Sequence, residues 1–243
     1  MRVWDLPAGY LNRQSLLGEH RELHGIYSIL TQGKSGYAHH PETLRWVQRL
    51  SGLAMRHRQL VAEMSLRGYT DRTPIRLSLF RVRWPNTFVT EPVDQIVLLR
   101  RKYLGGEKGR IPLPRNAQEI WAQHKYSVMA RSPEAYRTIG RAVARMRRGA
   151  NVSTLATDLI WILRDTPSEG RLVNAVEHMW GHVRDRATPD DVTMARKSVG
   201  QLLACTQQLA HRAREPFLLS STALSELAMF VDVRRLATYP AMS

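Results

Sequence analysis

Glu22 is the residue whose setting most suggests chemistry. It lies in the run Gly18-Glu-His-Arg-Glu-Leu23, within a stretch whose apolar residues recur at helical spacing. On a helical wheel Glu22 falls beside the apolar stripe. Gly18 and Gly25, four residues before it and three after, flank it on the same side. A glycine inside a helix costs roughly 1 kcal/mol against alanine. Two of them around one carboxylate leave two readings open: a ligand that approaches the backbone closely there, or a second helix packed on that face. The loop Gly33-Lys-Ser-Gly36 has phosphate-loop composition. It lacks the spacing and the preceding strand of a nucleotide-hydrolysing loop. Together with His39 and His40, Lys34 reads either as a contact to a phosphate backbone or as part of a solvated turn. His178 and His182 are four residues apart on a predicted helix, with no third ligand at a suitable spacing, so no metal is expected. Arg137, Arg141, Arg145 and Arg148 form a basic stripe, readable as a solvated face or as an RNA or DNA contact. Cys205 reads as a small core residue.

Composition narrows what such groups could act on. Lysine and arginine total 36 against 21 acidic residues, a net charge of +15 and a pI near 10.8. Arginine, the better residue for bidentate phosphate contacts, greatly outnumbers lysine. A balance this positive favours a polyanionic partner through counterion release. The charge is uneven: residues 1–115 carry 19 basic and 9 acidic side chains, so the front half is the expected nucleic-acid face. A hydrophobic content of 43% with 23% charged residues excludes a disordered tail. No apolar run approaches the roughly 20 residues that span a bilayer, and the N-terminus has no signal-peptide core. One cysteine excludes an internal disulfide and a cysteine-rich metal site. The expected location is the cytoplasm, at the nucleoid, with no membrane partner.

The elements that must position these residues read as helices. Residues 11–30 carry Leu16, Leu17, Leu23, Ile26, Tyr27 and Leu30 on one face. A second helical region begins at Pro41 and stops at Gly68. Residues 70–90 are irregular, with strand-like alternation at Ile75, Leu77 and Leu79, and 92–103 form a short helix. Gly105 to Pro114 has linker composition. Beyond it, helices are predicted near 133–148, 153–164, 168–186, 189–213 and 222–236. Ser132-Pro-Glu134 and Thr188-Pro-Asp-Asp191 are strong helix starts. The predicted fold is all-α, with a helical domain over 1–105, a linker over 106–118 and a C-terminal helical bundle over 119–243.

The pattern Leu16-Leu-Gly-Glu-His-Arg-Glu-Leu23, then Leu60-Val-Ala-Glu-Met64 and Arg67-Gly-Tyr69, resembles the pyrimidine-dimer DNA glycosylases of the phage T4 endonuclease V type. The likeness covers roughly residues 1–70 well and 71–105 poorly. It implies a three-helix unit whose nucleophile is the chain's own α-amino group, with the glutamate of the Arg-Glu-Leu motif 21 residues downstream. Met1 and Glu22 have that separation. Arg2 is bulky enough to block removal of the methionine, so the resemblance puts the amine of Met1 at the reactive position. An α-amine ionises near 7.7–8.0, against about 10.4 for lysine, and a useful fraction is neutral near pH 7.5. The implied chemistry is attack on the sugar C1′, departure of the base, an imine and β-elimination, without a cofactor. Glu22 would stabilise positive charge on the sugar and shuttle protons. Arg2, Arg21 and Gln14 would hold phosphates or the displaced base, and the target base would leave the duplex stack. Two departures stand out. His24 and Gly25 occupy positions where the family carries arginines, and its aromatic tail is echoed only by Trp121 and the Lys125-Tyr126 pair.

Residues 120–238 resemble the YbgA-type domain of unknown function, through His124-Lys-Tyr-Ser-Val-Met-Ala130, Tyr136-Arg-Thr-Ile-Gly-Arg141 and Asn174-Ala-Val-Glu-His178 with Gly181. Such domains also occur fused to thiouracil desulfidases that act on tRNA. The expected function is therefore repair of damaged duplex DNA, such as DNA carrying ultraviolet-induced pyrimidine dimers, by a glycosylase with AP lyase activity. The alternatives are a non-catalytic nucleic-acid adaptor, or processing of modified RNA bases with RNA held by the C-terminal half.

Overall fold

The computed structural model describes residues 1–77 and 81–231. Contacts divide the chain into two compact units, Met1–Gly109 and Arg110–Ser243. The fold is all-α: every regular element among the described residues is helical. Ile75 and Leu77, expected to alternate as in a strand, lie in irregular chain, and Leu79 falls outside the described residues.

The first unit opens with an extended segment and a 3-10 turn at Ala8–Tyr10. Helix α1, Arg13–Gln32, starts where the Asn12 side chain accepts a hydrogen bond from the Ser15 N–H at 2.8 Å. It ends at Gly33, whose left-handed φ of 66° suits a residue without a Cβ. The helix expected over 41–68 is two helices. α2, Pro41–Leu44, and α3, Leu50–Leu66, are separated by a turn with Gln48 at φ 59°. That break turns Leu44 and Val47 outward while Trp46 stays 1% exposed. α3 packs on α1, and Leu16, Leu23, Ile26, Leu53 and Leu60 form the buried seam. Gly52 is required on α3, because a Cβ there would collide with the carbonyl of Arg83. α4, Pro92–Lys102, has Asp94 in its first turn and Arg100, Arg101 and Lys102 in its last, matching the helix dipole. It adds Ile96 and Leu99 to the core.

The second unit holds α5 (Ala117–Met129), α6 (Pro133–Arg145), α7 (Ser153–Leu163), α8 (Glu169–Trp180), α9 (Pro189–Ala195) and α10 (Val199–Arg212). Three short helices follow: α11 (Pro216–Leu219), α12 (Ala223–Glu226) and α13 (Ala228–Val231). The helix expected over 222–236 is therefore split, and its residues past 231 lie outside the described chain. The expected helices over 168–186 and 189–213 are also interrupted, by turns after Trp180 and Ala195. α5 packs against α6, α7, α8 and α12 and is the axis of this unit. Within residues 106–118, expected as a linker, Ile111 and Ala117 are fully buried. No helix among the described residues is long and apolar enough to cross a membrane.

Candidate active site on the first helix

The N-terminal segment is held by a buried polar clamp. Arg45, at the end of α2, donates through one guanidinium nitrogen to both carboxylate oxygens of Asp5, at 2.9 and 3.0 Å. It also donates to the Val3 carbonyl at 3.1 Å and pairs with Glu42. Gln95 of α4 exchanges two hydrogen bonds with Asp5: it accepts from the Asp5 N–H at 2.8 Å and donates to the carboxylate at 2.9 Å. Burial raises the Glu42 carboxyl, and Arg45 together with the Val3 N–H draws it back down. Arg45 itself is held firmly protonated by Asp5 and Glu42 against the cost of its burial. With Val3, Trp4 and Leu6 buried, residues 3–6 form a fixed base, and Met1 is the short extension from it. The Met1 sulfur accepts a hydrogen bond from the Thr43 hydroxyl at 3.3 Å.

Two carboxylates on α1 have different fates. Glu19 is 2% exposed and receives a bidentate pair from Arg56 of α3, at 2.7 and 3.0 Å. Burial pushes its carboxyl up to about 7, against the opposing pull of Arg56. Glu22, one turn on, is partly exposed, and its side chain makes no ion pair or hydrogen bond with any described residue. A Cβ built on Gly18 or Gly25 meets nothing within 4 Å. Of the two readings of those glycines, helix packing therefore fails. The backbone beside Glu22 is bare and open.

The remaining expected contact residues spread along the same unit. Gln14 and Arg21 are exposed on α1, and Lys34 and His39 are exposed in the loop after it. Arg2 is exposed, lies over the Trp4 ring at 5.1 Å and reaches the Thr90 hydroxyl at 3.4 Å. His40 acts locally, since its Nδ1 accepts from the Glu42 N–H at 3.0 Å and caps α2. Met1 and Glu22 form no direct ion pair. In the second unit, His182 bonds to the Tyr126 hydroxyl at 2.7 Å and stacks on Phe217. Trp121 and Tyr126, which echo a family tail in sequence, are part of α5 in the second unit.

One cluster has almost no signal in the sequence. His57 Nε2 lies 3.1 Å from His20 Nε2 and 3.2 Å from His24 Nε2. Asp71 approaches His20 at 3.3 Å and His57 at 3.8 Å. Burial, with help from His20, holds His57 near 4 and lowers His24. The one local signal is the four-residue spacing of His20 and His24.

Comparison with known proteins agrees with this division of the chain. Residues 1–77 match the family of pyrimidine dimer DNA glycosylases. Residues 125–225 match a family described as a protein of unknown function (DUF1722). No curated protein and no solved structure matches the chain.

Proposed function

We propose that the first unit is a DNA glycosylase with AP lyase activity, in which the Met1 amine is the nucleophile and Glu22 the proton-transferring carboxylate. The match of residues 1–77 to pyrimidine dimer glycosylases carries the substrate class. The observation that carries the site is Glu22 itself: unpaired, partly exposed and bordered by bare glycine backbone. A carboxylate already spent on an ion pair, as Glu19 is on Arg56, would be a poor proton shuttle.

The chemistry follows from these groups. The neutral amine attacks C1′ and the electrons of the glycosidic bond leave with the base. Glu22 takes a proton from the newly attached amine and passes it to the ring oxygen, whose bond to C1′ breaks to give a protonated imine. The imine acidifies C2′, and β-elimination expels the 3′ phosphate. The open face around Gly18 and Gly25 gives room for the sugar-phosphate backbone. Arg2, Gln14, Arg21, Lys34 and His39 offer donors along the same unit. The Asp5–Arg45–Gln95 clamp fixes the segment that carries the nucleophile, a positioning role of the kind that converts a bimolecular attack into a local one.

The test is incision of ultraviolet-irradiated and abasic duplexes by the full chain and by a variant with one residue placed before Met1. The extension should abolish incision while leaving DNA binding in place. Equal incision by both proteins rules out the amine. Binding without incision by either favours a non-catalytic adaptor.

For the second unit, one feature favours nucleic-acid contact. A cavity of about 500 Å³ is lined by Trp121, Tyr136, Arg137, Gly140 and Arg141. Aromatic faces beside arginines suit a stacked base and its phosphate. Arg137→Ala with Arg141→Ala should weaken single-strand binding and lower its salt slope by about 1–2. An unchanged slope would remove this reading.

A further inference from the structure

We propose that His20, His24, His57 and Asp71 form a binding site for one divalent transition-metal ion, zinc above all, that ties α1, α3 and the segment after α3 together. The four candidate ligand atoms all lie within 4.8 Å of one another. They come from three parts of the unit: His20 and His24 from α1, His57 from α3, and Asp71 from the chain beyond it.

Hydrogen bonding accounts for this arrangement only through shared donors and a shared acceptor. Each ring nitrogen offers along its axis either one N–H or one lone pair. His57 Nε2 faces two other Nε2 atoms at once. Each of those also faces an oxygen, Asp71 from His20 and the Thr73 hydroxyl from His24 at 3.1 Å. With N–H groups on His20 and His24, one His57 lone pair must serve two donors, and each N–H is split between two acceptors, in a largely buried setting. A cation at the centre removes that sharing, because every nitrogen then presents its lone pair to the same point.

The spacing fits that reading. Zinc–nitrogen bonds of about 2.0–2.1 Å at tetrahedral angles put neighbouring ligand atoms roughly 3.3 Å apart. The observed separations are 3.1, 3.2 and 3.3 Å, with the second Asp71 oxygen at 3.8 Å from His57. Three imidazoles with one carboxylate suit a borderline ion such as zinc, and poorly suit calcium or magnesium, which prefer oxygen. The Thr73 N–H donates to Asp71 at 2.9 Å and orients it, as outer partners of metal ligands do. With four ligands from the protein, the site has the closed form of a structural centre. His20 and Glu22 are two residues apart, so they project roughly 200° apart around α1. The ion would hold the helix from behind while the Glu22 face stays free.

The test uses the full chain. It is stripped with a chelator and then titrated with zinc(II) alone, or with cobalt(II) alone. The folded chain should take up about one zinc, show a cobalt absorption band of tetrahedral intensity, and melt at a higher temperature with zinc present. His24→Ala and Asp71→Ala should each weaken zinc binding at least about tenfold, whereas His178→Ala should leave it unchanged. Should either ligand variant fail to fold, X-ray absorption of the zinc-loaded native chain answers the same question. A shell of nitrogen and oxygen with imidazole scattering supports the site. No saturable uptake, a shell without imidazole, or native affinity in both ligand variants overturns it.

Discussion

Glu19 and Glu22 sit three residues apart on α1, in opposite settings. Glu19 faces the α3 seam, where its cost of burial is offset by a bidentate Arg56. Glu22 faces away from described partners, and the glycines beside it keep its surroundings empty. Both belong to the same Gly-Glu-His-Arg-Glu-Leu run. Residue type does not distinguish them; the partner brought by α3 does. The lesson is a contrast around one helix, with a buried ion pair on the packed side and the proposed reactive carboxylate on the bare side. Substitutions can break or sharpen that contrast.

The largest effect is expected at Glu22. Glu22→Gln should lower incision of abasic duplexes by about 10²–10⁴-fold, the usual contribution of a positioned proton-transfer group. The melting temperature should stay close to that of the native chain. A clear loss of stability would mean that Glu22 has a structural partner after all. Glu19→Ala should do the reverse. It strands the Arg56 guanidinium in the core and should cost about 3–5 kcal/mol in chemical denaturation. A change below about 1 kcal/mol, on the scale typical of exposed ion pairs, would contradict the buried pairing.

A buried group in the second unit extends the contrast. His124 is 1% exposed and donates from Nδ1 to the Ile120 carbonyl at 2.8 Å. Burial lowers its ring to about 4. Between that value and about 6.5 the unfolded chain binds the proton and the folded chain does not. Stability from this group is therefore complete above about pH 6.5 and is lost as pH falls toward 4, by an amount on the order of 3 kcal/mol. Denaturation of the full chain across that range should show the decline, and His124→Asn should flatten it. An identical slope in the variant would count against a neutral buried ring.

The smallest effect is at the glycines, and its sign is informative. Gly18→Ala meets open space and should stabilise α1 by roughly 0.5–1 kcal/mol. The same methyl group should weaken binding of damaged duplex, because it stands on the face that Glu22 uses. Unchanged binding in Gly18→Ala and Gly25→Ala would show that nothing approaches that backbone.

Local signals make much of the helical order legible. Ser132-Pro-Glu134 and Thr188-Pro-Asp-Asp191 mark the starts of α6 and α9, because caps act within one turn. α5 is absent from the helices expected of the sequence, although Asn116 caps it by accepting from the Glu119 N–H at 2.9 Å. Its burial against four other helices leaves no clean polar stripe to read. The break between α2 and α3 carries no glycine or proline, only a left-handed Gln48. The proposed site is legible where a resemblance supplies it. Its supports are not: Asp5 meets Arg45 across 40 positions and Gln95 across 90, and His57 meets His20 across 37. No periodicity reports such distances.

The most direct test of the central claim is borohydride trapping on an abasic duplex, followed by peptide mapping of the adduct. An imine at the N-terminal amine should be reduced to a stable cross-link located on Met1, and Glu22→Gln should diminish its formation. A cross-link mapped to a lysine side chain, or none formed by folded protein bound to the duplex, would contradict the account.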